Sequence, residues 1–514
     1  MGIPSYYRTL VQKVPHSLQK TAPTSVQTLV VDMNCMIYHI LKEPHIPAYP
    51  GEEERLSWEY TLQKAVCSYL KYIWVSCGSP SQVYIALDGV VPYAKIKQQR
   101  FRRFKSSLTR NCKEWDTNAI TPGTQFMESL AKEIRKTGHG WILSDTEEPG
   151  EGEQKVLRWL LNTQLRTGPI VIYGLDADLI LLGLLAGEQL GKEYNIYLLR
   201  ESQAFGTLIR SPESNQAELC YFTLSALSSI LCNSDIPWTR QELYDYVFGM
   251  SFCGNDFLPT GLSLRIRDDG HSLLLQGLRE LWKHSCHLVS WNECGIAKPN
   301  PKGLLYFSKW MASQEERCII KTILKKQNMR ISEKEEDALP ILQQAEAPLV
   351  QKEESGFLHL KKEWKTLYSH IALGDSSKHH RKKCVEEYWK GWCWILDYYQ
   401  GIPIDYEWVY AHSYPPTWND LVYFFNVSDT GIIWEQRIPC KPQEQLALVL
   451  PLQSWWHLYK TPYWNLPLKI PQFWASSFQC ETFGKLFGWE CEPNIPMFSP
   501  ARLRYEMQGR NPPL

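Results

Sequence analysis

The sequence predicts an α/β fold: a mostly parallel central sheet with helices on both faces, and an aromatic-rich second region packed on it. Three observations lead there. Short runs rich in Val, Ile and Tyr have strand character at Thr28–Met33, Val83–Leu87, Ile170–Tyr173 and Tyr194–Leu199. Helical patterns lie between them, at Leu56–Val75, Gln125–Thr137 and Gln154–Leu165. Strands alternating with helices require crossovers, and crossovers cover both faces of a parallel sheet. The third observation is tryptophan, which occurs 21 times, with twelve of the 21 between Trp364 and Trp489. Such a density reads first as a rigid aromatic core, and second as a platform on which flat ligands such as bases can stack.

Taken in order, the first strand ends in Val31-Asp32-Met33-Asn34 and the second in Leu87-Asp88-Gly89. A basic helix follows the second. A helix starts at Pro149-Gly-Glu-Gly-Glu153, and the third strand leads into Gly174-Leu-Asp176-Ala-Asp178. The stretch Ile170–Leu185 is the most apolar, but two acids near its middle argue against a membrane span. The stretch Lys325–Ser355 is rich in Lys, Glu and Gln, and reads as a charged linker or solvated arm. The expected organisation is a core over 1–313, a linker or helical arm over 314–363, and the aromatic region over 364–514. The run Lys378–Lys383 is basic and reads as a solvated face or as a contact for a nucleic-acid backbone.

Lys plus Arg and Asp plus Glu number 55 each, so the net charge is zero. This argues against a uniformly basic nucleic-acid binder and leaves local fields open. The 15 cysteines are an odd number without a Cys-x-x-Cys pair, which suits a reducing compartment. His284, Cys286, His287 and Cys294 are close in sequence but lack zinc-ligand spacing. The N-terminus has no signal-peptide pattern, and Tyr6 stands where a myristoylation motif requires Ser or Thr. A cytoplasmic or nuclear monomer without a membrane anchor is expected, the cytoplasm first.

Four aspartates, Asp32, Asp88, Asp176 and Asp178, follow three strands of one expected parallel sheet, where functional groups gather at the carboxyl ends. Glu151 and Glu153 lie at a helix start, and Asp256 follows in Gly254-Asn-Asp-Phe257. Taken singly, each acid is a turn or cap residue. Converging together, they would repel unless cations neutralised them. Carboxylates favour Mg²⁺ or Mn²⁺, and two such ions about 4 Å apart are a known device for phosphodiester hydrolysis.

From Gly89 to Lys113 there are eight bases and no acid: Lys95, Lys97, Arg100, Arg102, Arg103, Lys105, Arg110 and Lys113. On a helix, Lys95, Gln99, Arg102 and Arg103 share one face, a donor set suited to a terminal phosphate. The alternative reading is a solvated basic helix.

These segments resemble the Xrn family of 5′→3′ exoribonucleases. The resemblance is carried by Met1-Gly-Ile-Pro4, Asp32-Met-Asn34, Asp88-Gly-Val-Val-Pro-Tyr-Ala-Lys95 with Gln98–Phe104, and Ile120–Met127. Ile142–Asp145, Pro149–Glu153, Tyr173–Leu179 and Gly254–Pro259 continue it, and Trp394–Gly401, Arg437–Pro442 and Gln445–Pro451 match more loosely. The resemblance implies a flap-nuclease-like, PIN-like core and two Mg²⁺ or Mn²⁺ ions held by Asp32, Asp88, Glu151, Glu153, Asp176, Asp178 and Asp256. It also implies a 5′-monophosphate pocket at Lys95, Gln99, Arg102 and Arg103, closed to capped and triphosphate ends. The expected activity is metal-dependent, processive degradation of single-stranded, 5′-monophosphorylated RNA to mononucleotides.

Several positions depart from the family pattern. Tyr38 stands where the family usually has a base-stacking His, with His39 beside it. Tyr93, Gln154 and Thr260 replace common Arg, His and His residues, none of them an expected metal ligand. A second stacking residue is expected at Tyr406 or Trp408. The chain ends soon after the second region, without the long C-terminal extension of the large members, as a minimal form would. Two other readings stay open: a catalytically inactive RNA-binding scaffold on this fold, and a flap-type DNA nuclease.

Overall fold

The computed structural model describes residues 3–508, apart from 4, 112, 192, 205–206, 213–214, 226, 228–230, 232–237, 328–347, 355–356, 427–431, 433 and 486–489. Most of the Met1–Pro4 motif and of the charged stretch 325–355 therefore lies outside the described residues.

Seven strands form one sheet: β1 (Leu18–Gln19), β2 (Thr28–Asp32), β3 (Gln82–Ala86), β4 (Ile142–Ser144), β5 (Ile170–Tyr173), β6 (Ile196–Glu201) and β7 (Leu219–Thr223). Their order is β1-β7-β6-β5-β2-β3-β4. The five strands β2 to β6 run parallel, with Thr28 opposite both Gln82 and Ile170. β7 is antiparallel to β6 and to β1. All five residues of β2 are buried, as a near-continuous apolar run between two helical layers requires. β2 lies between β3 and β5, so the chain segments leaving three adjacent strands emerge side by side. Asp32, Asp88 and Asp176 sit on those segments.

The helices α1 (Tyr6–Lys13), α2 (Met33–Leu41), α3 (Arg55–Ser76), α4 (Tyr93–Ser107), α5 (Gln125–Thr137), α6 (Gly152–Asn162) and α7 (Asp178–Leu190) surround the sheet. On one face, Leu29, Val31 and Ile85 pack against Ile37, Leu62, Leu70 and Leu130 of α2, α3 and α5. On the other, Val30 and Ile172 pack with Leu157 and Leu181 of α6 and α7. That second core continues into α8 (Arg240–Met250), α9 (Gly270–Lys283) and α10 (Pro301–Gln327). Residue 313, where the sequence places the end of the core, lies within α10, which runs through it without a break.

The aromatic region contributes α11 (Trp364–Leu373), α12 (Lys378–Tyr399), α13 (Trp418–Phe424), α14 (Pro442–Val449) and α15 (Pro500–Gln508). Trp392, Trp394 and Tyr399 of α12 are fully buried and belong to the same core as the sheet. Phe252 packs against Trp392, and Phe257 against Trp394 and Tyr398. No helix among the described residues is long and apolar enough to cross a membrane.

Helix α4 is not a solvated basic helix. Val91, Ile96 and Phe104 share a core with Leu446, Leu448, Trp474 and Phe498. Three of its bases donate to backbone carbonyls of the aromatic region: Lys97 to Tyr410 (3.0 Å), Arg100 to Leu448 (2.8 Å) and to Phe473, and Lys105 to Cys491 (2.7 Å). Burial without such partners would cost several kcal/mol, about 2 or more per group.

Candidate active site

The acid cluster is built by strand ends and helix starts. Asp32 closes β2, and Asp88 follows β3. Glu151 is the N-cap of α6, Glu153 lies in its first turn, and Asp178 opens α7, where helix dipoles favour negative charge. Asp88 Oδ1 accepts from the amide of Gly152 at 2.7 Å, and Asn34 Nδ2 donates to Asp88 Oδ2 at 2.7 Å. Gly152 has to be glycine, because a Cβ there would lie 2.4 Å from Asp32 Oδ1. Gly89 is likewise pinned: its amide donates to the Gly150 carbonyl at 2.9 Å, and a Cβ would collide with the Glu148 carbonyl. The Gly150 amide returns to the Val90 carbonyl at 2.8 Å, which fixes the Asp88 loop against the Glu151 loop.

The seventh acid comes from a distant loop. Asn255 Oδ1 accepts from the amides of Phe257 and Leu258, which folds that loop and presents Asp256. Lys95 Nζ binds Asp256 Oδ2 at 2.6 Å and Glu151 Oε2 at 2.5 Å. The structure thus places Lys95 between two acids, while Gln99 accepts from Gln445 Nε2 at 3.3 Å.

Electrostatics show how closely the acids gather. Asp32, Glu151, Glu153 and Asp178 are all below 7% exposed. Burial, then the charges of Asp88, Asp176 and Glu151, pushes the Asp32 carboxyl well above the usual range. Burial, then Glu151 and Asp178, does the same to Glu153. Asp178 is pushed up to about 8 by burial and then by Asp256 and Asp176. Burial pulls Lys95 down, but Asp256 and Glu151 outweigh it and hold its ammonium well above the ordinary value. Glu153 Oε2 and Asp178 Oδ1 are buried without a hydrogen-bond partner among the described residues. Orphaned buried carboxylate oxygens in a cluster of like charges suit hard divalent cations, which prefer all-oxygen ligands. The residues present therefore fit Mg²⁺ or Mn²⁺.

On α4, Arg103 is buried, its Nη1 has no hydrogen-bond partner among the described residues, and burial pulls its guanidinium down to about 10. Tyr38 is 36% exposed on α2, whereas its neighbour His39 is buried beside Glu43 and Glu201. Of the two expected second stacking residues, Tyr406 lines a cavity of about 400 Å³ with Arg158, Tyr398, Ile404 and Arg437. Trp408 stacks on Trp394 at 5.0 Å and 28°, and Trp394 stacks on Tyr398 at 5.0 Å and 13°.

Reading from sequence overlooked Tyr398, whose hydroxyl donates to Glu151 Oε1 at 2.5 Å, and the clamp of Asn34 on Asp88. Asn34 was visible within the Asp32-Met-Asn34 motif; Tyr398 carried no signal beyond its aromatic segment. The candidate zinc cluster is not assembled. His287 Nδ1 binds Asp245 at 2.7 Å, His284 pairs with Glu280 and Cys294 is exposed. The Lys378–Lys383 run forms the first turns of α12, where Arg381 pairs with Asp420 and Lys382 with Glu386.

Comparison with known proteins gives a consistent result. The family pattern described as "XRN 5'-3' exonuclease N-terminus" matches residues 1–114 and 107–202, and that described as "Xrn1 helical domain" matches 311–514. The chain is 24% identical to a protein named 5'-3' exoribonuclease 2 from Gallus gallus, over all of this chain and 70% of that one. It is 22% identical to 5'-3' exoribonuclease 1 of Schizosaccharomyces pombe, over 98% of this chain and 48% of that one. It is 30% identical to 5'-3' exoribonuclease 2 of Saccharomyces cerevisiae, over 55% of this chain and 35% of that one. The chain thus spans about half or less of the two yeast relatives.

Proposed function

Given that the chain belongs to the Xrn family, we propose that it is a 5′→3′ exoribonuclease that removes mononucleotides from single-stranded RNA bearing a 5′ monophosphate. The observation that carries this reading is the acid set of buried Asp32, Glu151, Glu153 and Asp178 with half-buried Asp88, Asp176 and Asp256, beside the buried, unsaturated guanidinium of Arg103.

Those seven acids are the proposed ligands of two Mg²⁺ or Mn²⁺ ions, which when bound would supply Lewis-acid activation of water and stabilisation of the leaving oxygen. The chain's own residues set the geometry. Asn34 and the Gly152 amide hold Asp88, and Tyr398 holds Glu151. Arg102 and Arg103 would grip the terminal phosphate through charge-assisted hydrogen bonds. Lys95 and Gln99 complete the proposed pocket, Lys95 also tethering Asp256 to Glu151. Tyr38 would stack on a base near the phosphate, with Tyr406 or Trp408 on the far side. A grip on each new 5′ end would favour processive advance.

The proposal is tested by incubating purified protein with 5′-monophosphate RNA and with flap DNA, side by side, in Mg²⁺ and in Mn²⁺. Metal-dependent release of mononucleotides from the RNA is expected. Flap cleavage without RNA decay would favour a DNA nuclease, and RNA binding without cleavage a scaffold.

A further inference from the structure

Outside the acid cluster, two histidines and a cysteine converge. His380 and Cys384 lie on α12, and His412 lies on the loop after it; their ligand atoms are all within 4.8 Å of one another. A fourth donor joins them: Glu387 Oε2 is 3.4 Å from His412 Nε2, and Cys384 Sγ is also 3.4 Å from that nitrogen. His380, Cys384 and Glu387 are spaced i, i+4 and i+7, so one face of α12 presents all three.

We propose that His380, Cys384 and His412, with Glu387 as fourth ligand, form a structural Zn²⁺ site. Three features support it. Bond lengths of about 2.3 Å to sulfur and 2.0 Å to nitrogen put tetrahedral ligand atoms about 3.5 Å apart, close to the two separations observed. A single nitrogen, His412 Nε2, faces both the thiol and the carboxylate. One N–H serves one of them well, whereas a cation between them engages all three. Finally, His380 Nε2 is 2.8 Å from the Leu373 carbonyl. Donation of that N–H leaves Nδ1 as the lone pair, the usual outer-sphere arrangement for a zinc-bound histidine.

Imidazole and thiolate donors select zinc over Mg²⁺ or Mn²⁺, so the site is chemically separate from the acid cluster. Cys384 is fully buried, and ligation would require its thiol to lose a proton. The bound ion would lock α12 to the loop that precedes Pro415 and carries Tyr406 and Trp408. It would thereby fix the proposed stacking residues without touching substrate. Arg381 of the same helix pairs with Asp420, so its charge is balanced away from the ion, and one thiolate with one carboxylate would neutralise Zn²⁺.

The test uses the full chain, purified, loaded with Zn²⁺ in excess Mg²⁺, and dialysed. Elemental analysis is expected to find one zinc per chain, lost in Cys384→Ser and in His412→Gln. Cobalt substitution is expected to give a thiolate-to-cobalt charge-transfer band and tetrahedral ligand-field bands. Zinc well below one per chain in the wild type, zinc retained in both variants, or a cobalt spectrum lacking the thiolate band would each overturn the proposal. Should the variants not fold, the wild-type metal content and cobalt spectrum decide alone.

Discussion

The hydroxyl of Tyr398 donates to Glu151 Oε1 at 2.5 Å, across 247 positions of sequence. The bond joins the aromatic helix α12 to an acid at the start of α6, inside the candidate active site. Tyr398 also ends the ring stack that runs through Trp394 to Trp408. The aromatic region therefore does more than cover the site; it orients one of its carboxylates.

Tyr398→Phe keeps the ring stack and removes that donor. Glu151 then loses a constraint on its orientation. A loss of roughly 10–100-fold in nuclease activity or metal affinity is expected, the usual range for a residue that orients a metal ligand. A Mn²⁺ titration of activity should show the defect partly relieved at high metal. A variant with unchanged metal dependence would contradict this role.

Asp176→Ala is expected to abolish cleavage while sparing RNA binding and the fold. Asp176 lies on the loop after β5, beside the strand that carries Asp32, and its charge bears on Asp32, Glu153 and Asp178. Gel-shift and cleavage assays on the same preparation separate the two properties.

Arg102→Ala and Arg103→Ala are expected to lose most of the preference for 5′ monophosphate over 5′ hydroxyl. A hydrogen bond to a charged group contributes about 2 kcal/mol, or roughly 30-fold in the ratio of rates. Competition between the two RNAs in one tube measures that ratio directly.

Arg100 is fully buried and donates to the carbonyls of Leu448 and Phe473. Arg100→Met would leave those carbonyls unpaired, at a cost of about 2–4 kcal/mol. Thermal unfolding should shift down, and limited proteolysis should open the region after residue 440 first. Unchanged resistance there would show that Arg100 does not tether it.

His271 gives the fold a pH dependence away from the site. It lies between Tyr246, 2.9 Å from Nε2, and Lys13, 3.2 Å from Nδ1; Tyr246 in turn bonds Tyr6 of α1. Burial, then the Lys13 charge, pushes its imidazole down to about 3. The unfolded chain binds the proton near 6.5 and the folded one does not, so stability falls as pH drops from 6.5 toward 3. Between pH 6.5 and 5 the loss is roughly 2 kcal/mol. Urea unfolding of His271→Gln should show a shallower fall over that interval; equal slopes would contradict the assignment.

Much of this was legible in sequence because the relevant signals are local. Apolar β-branched runs marked β2, β3, β5 and β6 to within about two residues, since strands buried on both faces tolerate little else. Gln125–Thr137 matches α5 in full, and in the structure the Thr124 side chain caps it by accepting from the Met127 amide. The short edge strands β1 and β4 were not visible, because two or three paired residues leave no periodicity. The acids could be found one by one, as each follows a strand or opens a helix. The partners Tyr398 and Gln445 could not, nor could the role of Asn34, visible only as part of a motif, because these depend on contacts between distant segments. The alternative reading of the basic helix, a solvated face, is the one the structure removes. Lys97, Arg100 and Lys105 spend their charge on carbonyls of the aromatic region.

The central claim is that buried acids cut beside a pocket that holds a 5′ monophosphate. A time course on 3′-end-labelled RNA carrying 5′ monophosphate, triphosphate or hydroxyl tests it most directly. The account predicts metal-dependent loss of the monophosphate RNA without accumulating intermediates, with the other two largely spared. Equal decay of all three, or cleavage that begins at the 3′ end or within the chain, would contradict it.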